Sequence, residues 1–293
     1  MPWLQLKLTT TKTYADAVGD ELMMLGGLSV TLEDAADNPI YEPAPGETPL
    51  WNDIQMMVLF DAQINTDEVL AVWQENPFSE FTAHEKFEQV EDKDWVREWI
   101  SRFEPMKFGE RLWICPSWQP VPDETAVNVL LDPGLAFGTG THPTTSLCLQ
   151  WLDQADLHNK TVIDFGCGSG ILAVAALKLG ASKVYAVDID PQAITATSEN
   201  AKRNGVLDER LIIGQPEILG DVVVDVLVAN ILAGPLESLA EQISSHCGSH
   251  AKIALSGLLN HQVESVSQTY STWFDMQQAE NLQEWSRLTG TKK

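Results

Sequence analysis

The chain has 293 residues, 44% of them apolar, and carries 42 acidic against 18 basic side chains, a net charge of −24. That length accommodates two domains with a sizeable core, and the charge excludes the positive surface that bare DNA or RNA requires. There is no run of about 18 apolar residues, no basic-then-apolar leader at the start and no C-x-x-C pair among Cys115, Cys148, Cys167 and Cys247, so we expect a cytoplasmic protein with reduced thiols, no membrane span and no metal site.

In chain order, residues 3–8 alternate in polarity and predict a strand. Residues 14–25 place Val18, Leu22 and Leu25 on one helical face and stop at Gly26-Gly27. Residues 28–32 alternate again, and a polar, proline-rich loop spans 38–49. Residues 54–60 form an apolar strand, Thr66 caps a helix running to Trp73, and 81–90 make a last strand. The order βαββαβ predicts a ferredoxin-like α+β domain over residues 1–90. Residues 1–100 hold 20 acidic and 5 basic side chains, a balance of −15, against −9 for the remainder. Such a surface either steers a basic partner or simply aids solubility.

Residues 91–103 read as a connecting helix with Trp95 and Trp99 four apart as packing anchors, so we place a linker at 91–104 and a second domain at 105–293. Strands are expected at 112–115 and 126–131, followed by a glycine–threonine loop, 135–145, whose Pro143 suits the first turn of a helix through Trp151. The Thr144 and Thr145 hydroxyls and the N–H groups of that helix start favour a carboxylate. His142, beside the helix start, reads either as a base or, more commonly for such a position, as a local hydrogen-bonding residue. From Thr161 onward strand and helix alternate, with strands at 162–164, 184–187, 211–213, 224–229 and 253–255, and with 273–277 and 285–289 as an antiparallel pair at the sheet edge. The fold class is therefore α/β: a Rossmann-like, doubly wound, mostly parallel sheet preceded by the smaller α+β domain.

The most informative stretch is Asp164-Phe165-Gly166-Cys167-Gly168-Ser169-Gly170, a strand end that enters a helix through alternate glycines. Glycine there lets backbone N–H groups approach a ligand, and G-x-G-x-G is tighter than the G-x-G-x-x-G that cradles a diphosphate. Asp188 ends the next strand, 24 residues after Asp164, where a carboxylate accepts hydrogen bonds from ribose hydroxyls. Asp190, before Pro191, reads as a helix cap. A nucleoside-containing ligand follows, with NAD and S-adenosylmethionine both open. Asn230 ends the fourth strand, where its amide either accepts a hydrogen bond from an amine nucleophile or caps the next helix.

Asp164–Gly170, Asp188 and Asn230-Ile231-Leu232 resemble the motifs of class I S-adenosylmethionine-dependent methyltransferases. With the loop Phe137-Gly138-Thr139-Gly140-Thr141-His142-Pro143-Thr144-Thr145 and the acidic domain in front, nearly the whole chain resembles the PrmA family of ribosomal protein methyltransferases. The chain departs from many amine methyltransferases in having Asn230-Ile231-Leu232-Ala233 in place of Asn-Pro-Pro-Tyr, so the aromatic platform is absent. The resemblance implies transfer of methyl groups from S-adenosyl-L-methionine to lysine ε-amines and the N-terminal α-amine of a basic ribosomal protein, the eleventh of the large subunit. It also implies Thr145, Gly166, Gly168, Asp188 and Asn230 as cofactor contacts, with Asn230 at the reacting centre. We expect a monomer that binds neither nucleic acid nor membrane directly. Two other classes remain: an NAD-dependent oxidoreductase, which needs a diphosphate-binding turn, and a non-catalytic acidic interaction protein.

Overall fold

The computed structural model describes every residue except 1, 2, 37, 39, 41–46, 91–102 and 133–141. Almost all of the expected connecting helix, and the glycine–threonine loop up to Thr141, lie outside the described residues. The chain divides into two compact units, 1–98 and 99–293.

The first unit contains β1 (Trp3–Thr11), α1 (Ala15–Met24), β2 (Ser29–Asp34), β3 (Asp53–Phe60), α2 (Thr66–Glu75) and β4 (Ala83–Val90). Its sheet runs in the order β2-β3-β1-β4 with antiparallel pairing throughout. Alternation along β1 and β3 sends Leu6, Leu8, Ile54, Met56, Val58 and Phe60 to one face, where they bury against Val18, Leu22, Val69 and Trp73. Two local expectations are corrected. Asn65, not Thr66, caps α2: its Oδ1 accepts from the Glu68 N–H at 3.3 Å, leaving Thr66 as the first helical residue. Asn76 starts a short 3₁₀ turn at Pro77–Phe81, which delays the last strand to Ala83.

The second unit opens with a three-stranded sheet of β5 (Met106–Phe108), β6 (Leu112–Cys115) and β7 (Val127–Leu130). After α3 (Pro143–Gln154) come β8 (Thr161–Phe165), α4 (Ile171–Lys178), β9 (Lys183–Val187), α5 (Pro191–Arg203), β10 (Leu211–Gly214) and β11 (Val224–Asn230). They are followed by α6 (Ala233–Ser238), α7 (Ala240–Ser245), β12 (Cys247–Leu259), α8 (Val263–Tyr270), β13 (Phe274–Met276), β14 (Glu280–Leu282) and β15 (Trp285–Lys292). The large sheet has the order β10-β9-β8-β11-β12-β15-β13, with β14 paired to β15. From β10 to β12 every pairing is parallel, and the strands after β12 are antiparallel.

Successive residues of the central strands enter different cores. Val162, Val226 and Val228 pack with α3 and α4 residues such as Leu149, Leu172 and Ala173. Ile163, Leu227 and Ala229 pack with Leu236, Ile243, Val266 and Tyr270 from α6, α7 and α8. A sheet covered on both faces needs the near-continuous apolar strands seen here. Connections diverge between β8 and β11, so the carboxyl ends of these neighbours form the crevice in which open α/β sheets hold ligands.

Trp73 is 1% exposed and closes the core of the first unit. Trp73→Ala should cost that unit about 3–5 kcal/mol. A calorimetric scan should show a destabilised transition assignable to residues 1–98 while that of the second unit stays in place. One transition that shifts as a whole would show that the two units unfold together.

Candidate active site

The glycine turn is built from left-handed backbone. Gly166, Gly168 and Gly170 have φ of 77°, 52° and 75°, a region that side-chain-bearing residues rarely adopt. The N–H groups of Gly166 and Cys167 both donate to the Val187 carbonyl, at 2.8 and 3.0 Å, and the Gly170 N–H donates to the Cys167 carbonyl at 2.7 Å. The Gly168 N–H donates to Asp188 Oδ2 at 2.9 Å. These four donors, expected to face a ligand, are therefore taken up within the protein. The turn's own carbonyls are braced as well: Thr197 Oγ1 donates to the Gly168 carbonyl at 3.1 Å and Asn200 Nδ2 to that of Ser169 at 2.8 Å.

Asp188 thus has a structural task beside the one read from sequence. Its Oδ2 holds the glycine turn, and its Oδ1 accepts from the Asp190 N–H at 3.0 Å. Each carboxylate oxygen keeps a further lone-pair direction, so the group can still receive hydroxyls. Asp190 caps α5 as expected, accepting from the Gln192 N–H at 2.8 Å.

Across the crevice, a Cβ on Gly166 would lie 2.2 Å from Ile231 Cγ2, and a Cβ on Gly257 would lie 2.2 Å from the Ile231 carbonyl oxygen. Gly257 has φ 88° and sits where the β12–β15 register shifts between Ser256 and Leu258. Two glycines, one just past the end of β8 and one within β12, therefore make the space for one residue, Ile231. The expectation that a side chain at Gly166 would obstruct a ligand is revised accordingly: it would first strike Ile231.

Ile231 fixes the backbone beside Asn230, the last residue of β11. Asn230 Nδ2 donates to Thr145 Oγ1 at 3.2 Å, while its Oδ1 is buried without a hydrogen-bond partner. Asn230 does not cap α6, whose cap residue is Leu232 and makes no side-chain cap bond. Thr145 is fully buried in the first turn of α3. His142 caps that helix through Nδ1, which faces the Thr144 N–H at 3.3 Å and Thr144 Oγ1 at 2.7 Å. Its ring packs edge-on against Trp285, and burial lowers its pKa below the ordinary histidine value. His142 is thus neutral at pH 7 and acts as a cap.

Asp164 was read only as the acidic start of the motif, and its surroundings were not visible in the sequence. It is fully buried, accepts one hydrogen bond at Oδ2 from the Ala173 N–H of α4 at 2.9 Å, and leaves Oδ1 unpartnered. Burial first, then the nearby Asp188 carboxylate, push its pKa up to about 7. Burial also raises the thiols of Cys148 and Cys247, each to about 12, and that of Cys167, so they are unreactive as nucleophiles. No cluster of three metal-ligating side chains occurs among the described residues, and among them no helix is long and apolar enough to cross a membrane.

The sequence-selected residues form one chain of contacts: Thr145 bonds Asn230, Asn230 precedes Ile231, Ile231 abuts Gly166, and the turn from Gly166 to Gly168 bonds Asp188. Residues that sequence reasoning missed are Ile231 as the filler of the crevice, Gly257 as the glycine that admits it, and Ser256 and Arg287 behind α3.

The chain matches the family model described as "Ribosomal protein L11 methyltransferase (PrmA)" over residues 2–293. It is 56% identical over 293 residues to a ribosomal protein L11 methyltransferase of Shewanella halifaxensis, covering 100% of both chains. The same name and coverage belong to a protein of Shewanella putrefaciens at 55% identity. A crystal structure of a ribosomal protein L11 methylase from Lactobacillus delbrueckii subsp. bulgaricus superposes with a TM-score of 0.59 at 36% identity, covering 65% of this chain and 100% of that one. The chain belongs to the ribosomal protein L11 methyltransferase family. That membership sets aside the oxidoreductase and the non-catalytic readings.

Because Asp164 titrates near 3.8 when unfolded and near 7 when folded, the folded state binds its proton more tightly. Its contribution to stability is present below the unfolded value and is lost as pH rises through the folded one. Asp164→Asn keeps an acceptor for the Ala173 N–H but does not titrate. The variant should therefore gain melting temperature relative to the parent between about pH 5 and about pH 8. A difference that stays constant across that range would contradict the assignment.

Proposed function

We propose that this member of the ribosomal protein L11 methyltransferase family transfers methyl groups from S-adenosyl-L-methionine to lysine ε-amines and the N-terminal α-amine of ribosomal protein L11, with Asn230 receiving the attacking amine. The observation that carries the assignment of Asn230 is its buried, unpartnered Oδ1 at the carboxyl end of β11, beside the crevice between β8 and β11. A buried acceptor without a donor is costly, and an amine N–H completes it. Since Thr145 Oγ1 takes the amide's Nδ2, the amide is oriented with its oxygen as the free end.

The residues present fit the methyl donor. Asp188 offers remaining lone pairs to ribose hydroxyls. Gly166 and Gly168 hold the turn against which the ligand lies, and Thr145 and Asn230 line the opposite side of the crevice. When bound, the cofactor supplies an electrophilic methyl group on a sulfonium, which the lone pair of a neutral amine displaces. A free lysine near pKa 10.4 must first release a proton. A carboxylate at position 230 would favour the ammonium form, which has no lone pair; a neutral amide accepts an N–H without that penalty. Asn230 therefore aligns the amine rather than deprotonating it, and alignment is a large source of acceleration. The proton leaves to water.

The first unit's acidic balance supports a docking task toward a basic protein. Action without direct contact to nucleic acid belongs to the same reading and rests on the net charge of −24.

Incubation of purified ribosomal protein L11 with the enzyme and labelled S-adenosylmethionine should give label at lysine and N-terminal amines by mass spectrometry; an unlabelled product would overturn the reading. Asn230→Ala should lower kcat about 10²-fold at saturating cofactor. Asn230→Asp should move the pH–rate profile to higher pH, because the carboxylate holds the amine protonated; an unmoved profile would exclude contact with the amine. Raising salt should lower kcat/KM for the protein substrate more than for the cofactor, since exposed charges are screened beyond about 10 Å at 0.1 M. Equal sensitivity would reduce the acidic unit to a solubility element.

A further inference from the structure

Arg287, on β15, is 3% exposed, although neither a ligand role nor a resemblance assigns it anything. A buried guanidinium is retained only where specific partners hold it. Its Nη1 donates to the Leu147 carbonyl of α3 at 2.5 Å, and its Nη2 pairs with Glu280 Oε1 of β14 at 2.7 Å. Its Nε is buried and unpartnered, so the side chain is held by two of its three nitrogens. Beside it on β12, the fully buried Ser256 Oγ lies 3.3 Å from the Thr144 carbonyl and 3.1 Å from the Ser286 carbonyl, within reach of either for its single proton. Both polar locks act on the first turns of α3. The rest of the helix docks through apolar Leu147, Cys148, Leu149 and Leu152 and, at its last turn, through buried Asp153, whose carboxylate accepts from the Glu110 and Arg111 N–H groups at 2.6 and 3.2 Å, so the Arg287 and Ser256 contacts are the polar anchors of its first turns alone.

The same first turn carries Thr145, whose Oγ1 takes the Nδ2 end of the Asn230 amide and leaves the buried Oδ1 end without a partner. An amide flips when its partner moves, because its two ends are nearly the same shape. We infer that Arg287, with Ser256, is a positioning residue for methyl transfer: anchoring the Leu147 and Thr144 carbonyls sets the register of α3, places Thr145 Oγ1 against Asn230 Nδ2 and keeps Asn230 Oδ1 turned to the amine. Glu280 holds the far side of the guanidinium, so the terminal β14–β15 hairpin is the anchor for a helix more than 125 residues earlier in the chain. This inference rests on the role of Asn230 proposed above.

Misplacing a reacting group by about 1 Å costs up to about 10²-fold in rate. Arg287→Lys keeps the charge but cannot hold both partners, and should lower kcat about tenfold or more, with a smaller loss of S-adenosylhomocysteine affinity because Asp188 and the glycine turn lie outside the anchored helix. Ser256→Ala, a one-atom deletion that the fold tolerates, should act in the same direction more weakly. The decisive measurement is the double-mutant cycle on kcat with the full-length protein and L11. In the Asn230→Ala background, Arg287→Lys and Ser256→Ala should cause no further loss, because the group they position is gone. Losses that add in full would show a general structural role and overturn the inference alone. A normal kcat for Asn230→Ala would overturn both the inference and the role of Asn230. Should Arg287→Lys not fold, the Ser256 arm of the cycle decides by the same criterion.

Discussion

The site depends on the absence of two Cβ atoms. Where β8 and β11 diverge, Ile231 occupies the space in front of Gly166 and behind Gly257, and either methyl group would fall 2.2 Å from it. Both glycines adopt left-handed φ, so substitution meets a backbone penalty as well as a steric one. At Gly257 the overlap is with backbone, which cannot yield by a small adjustment, and at Gly166 the Ile231 side chain would have to turn away. This contact ties the glycine turn to the end of β11 and thereby sets the distance between the Asp188 side of the crevice and the Asn230 side.

Around that contact, the polar groups divide into those satisfied by the protein and those left open. The turn's donors are consumed by the Val187 and Cys167 carbonyls and by Asp188. The open groups are acceptors: Asn230 Oδ1 and Asp164 Oδ1. Buried unpaired acceptors are expensive and persist where a partner arrives from outside or where a proton fills the gap. For Asp164 the proton serves, since burial keeps its pKa near neutrality. For Asn230, which cannot titrate, only an external donor will.

Much of this was legible in sequence, and the exceptions have physical reasons. The alternating glycines, Asp188 and Asn230 stand out in the sequence because they follow apolar runs, and the structure brings them together at the carboxyl ends of neighbouring strands. The doubly wound sheet followed from apolar runs bounded by helices. The Asn65 cap was missed because Asn and Thr are both good caps at adjacent positions, and only geometry decides which side chain reaches the Glu68 N–H. Ile231 and Gly257 were missed because their meaning lies in a contact between β11 and a bulge on β12, and such pairings leave no local pattern. Arg287 carries no signal either, since a single arginine in an alternating strand reads as an outward-facing charge.

The engaged donors of the glycine turn also give a physical reason, independent of kinship, why this is not a dinucleotide site. A diphosphate is bound through unpaired backbone N–H groups at a helix start, which offer positive potential to an anion. In this turn the Gly166, Cys167, Gly168 and Gly170 N–H groups are already paired, and the Asp188 carboxylate stands directly beside them. The local field therefore repels a diphosphate. A cofactor carrying a sulfonium and an ammonium meets no such opposition. The compact G-x-G-x-G spacing is the sequence trace of that difference: a turn tight enough to satisfy itself leaves little for a phosphate to bind.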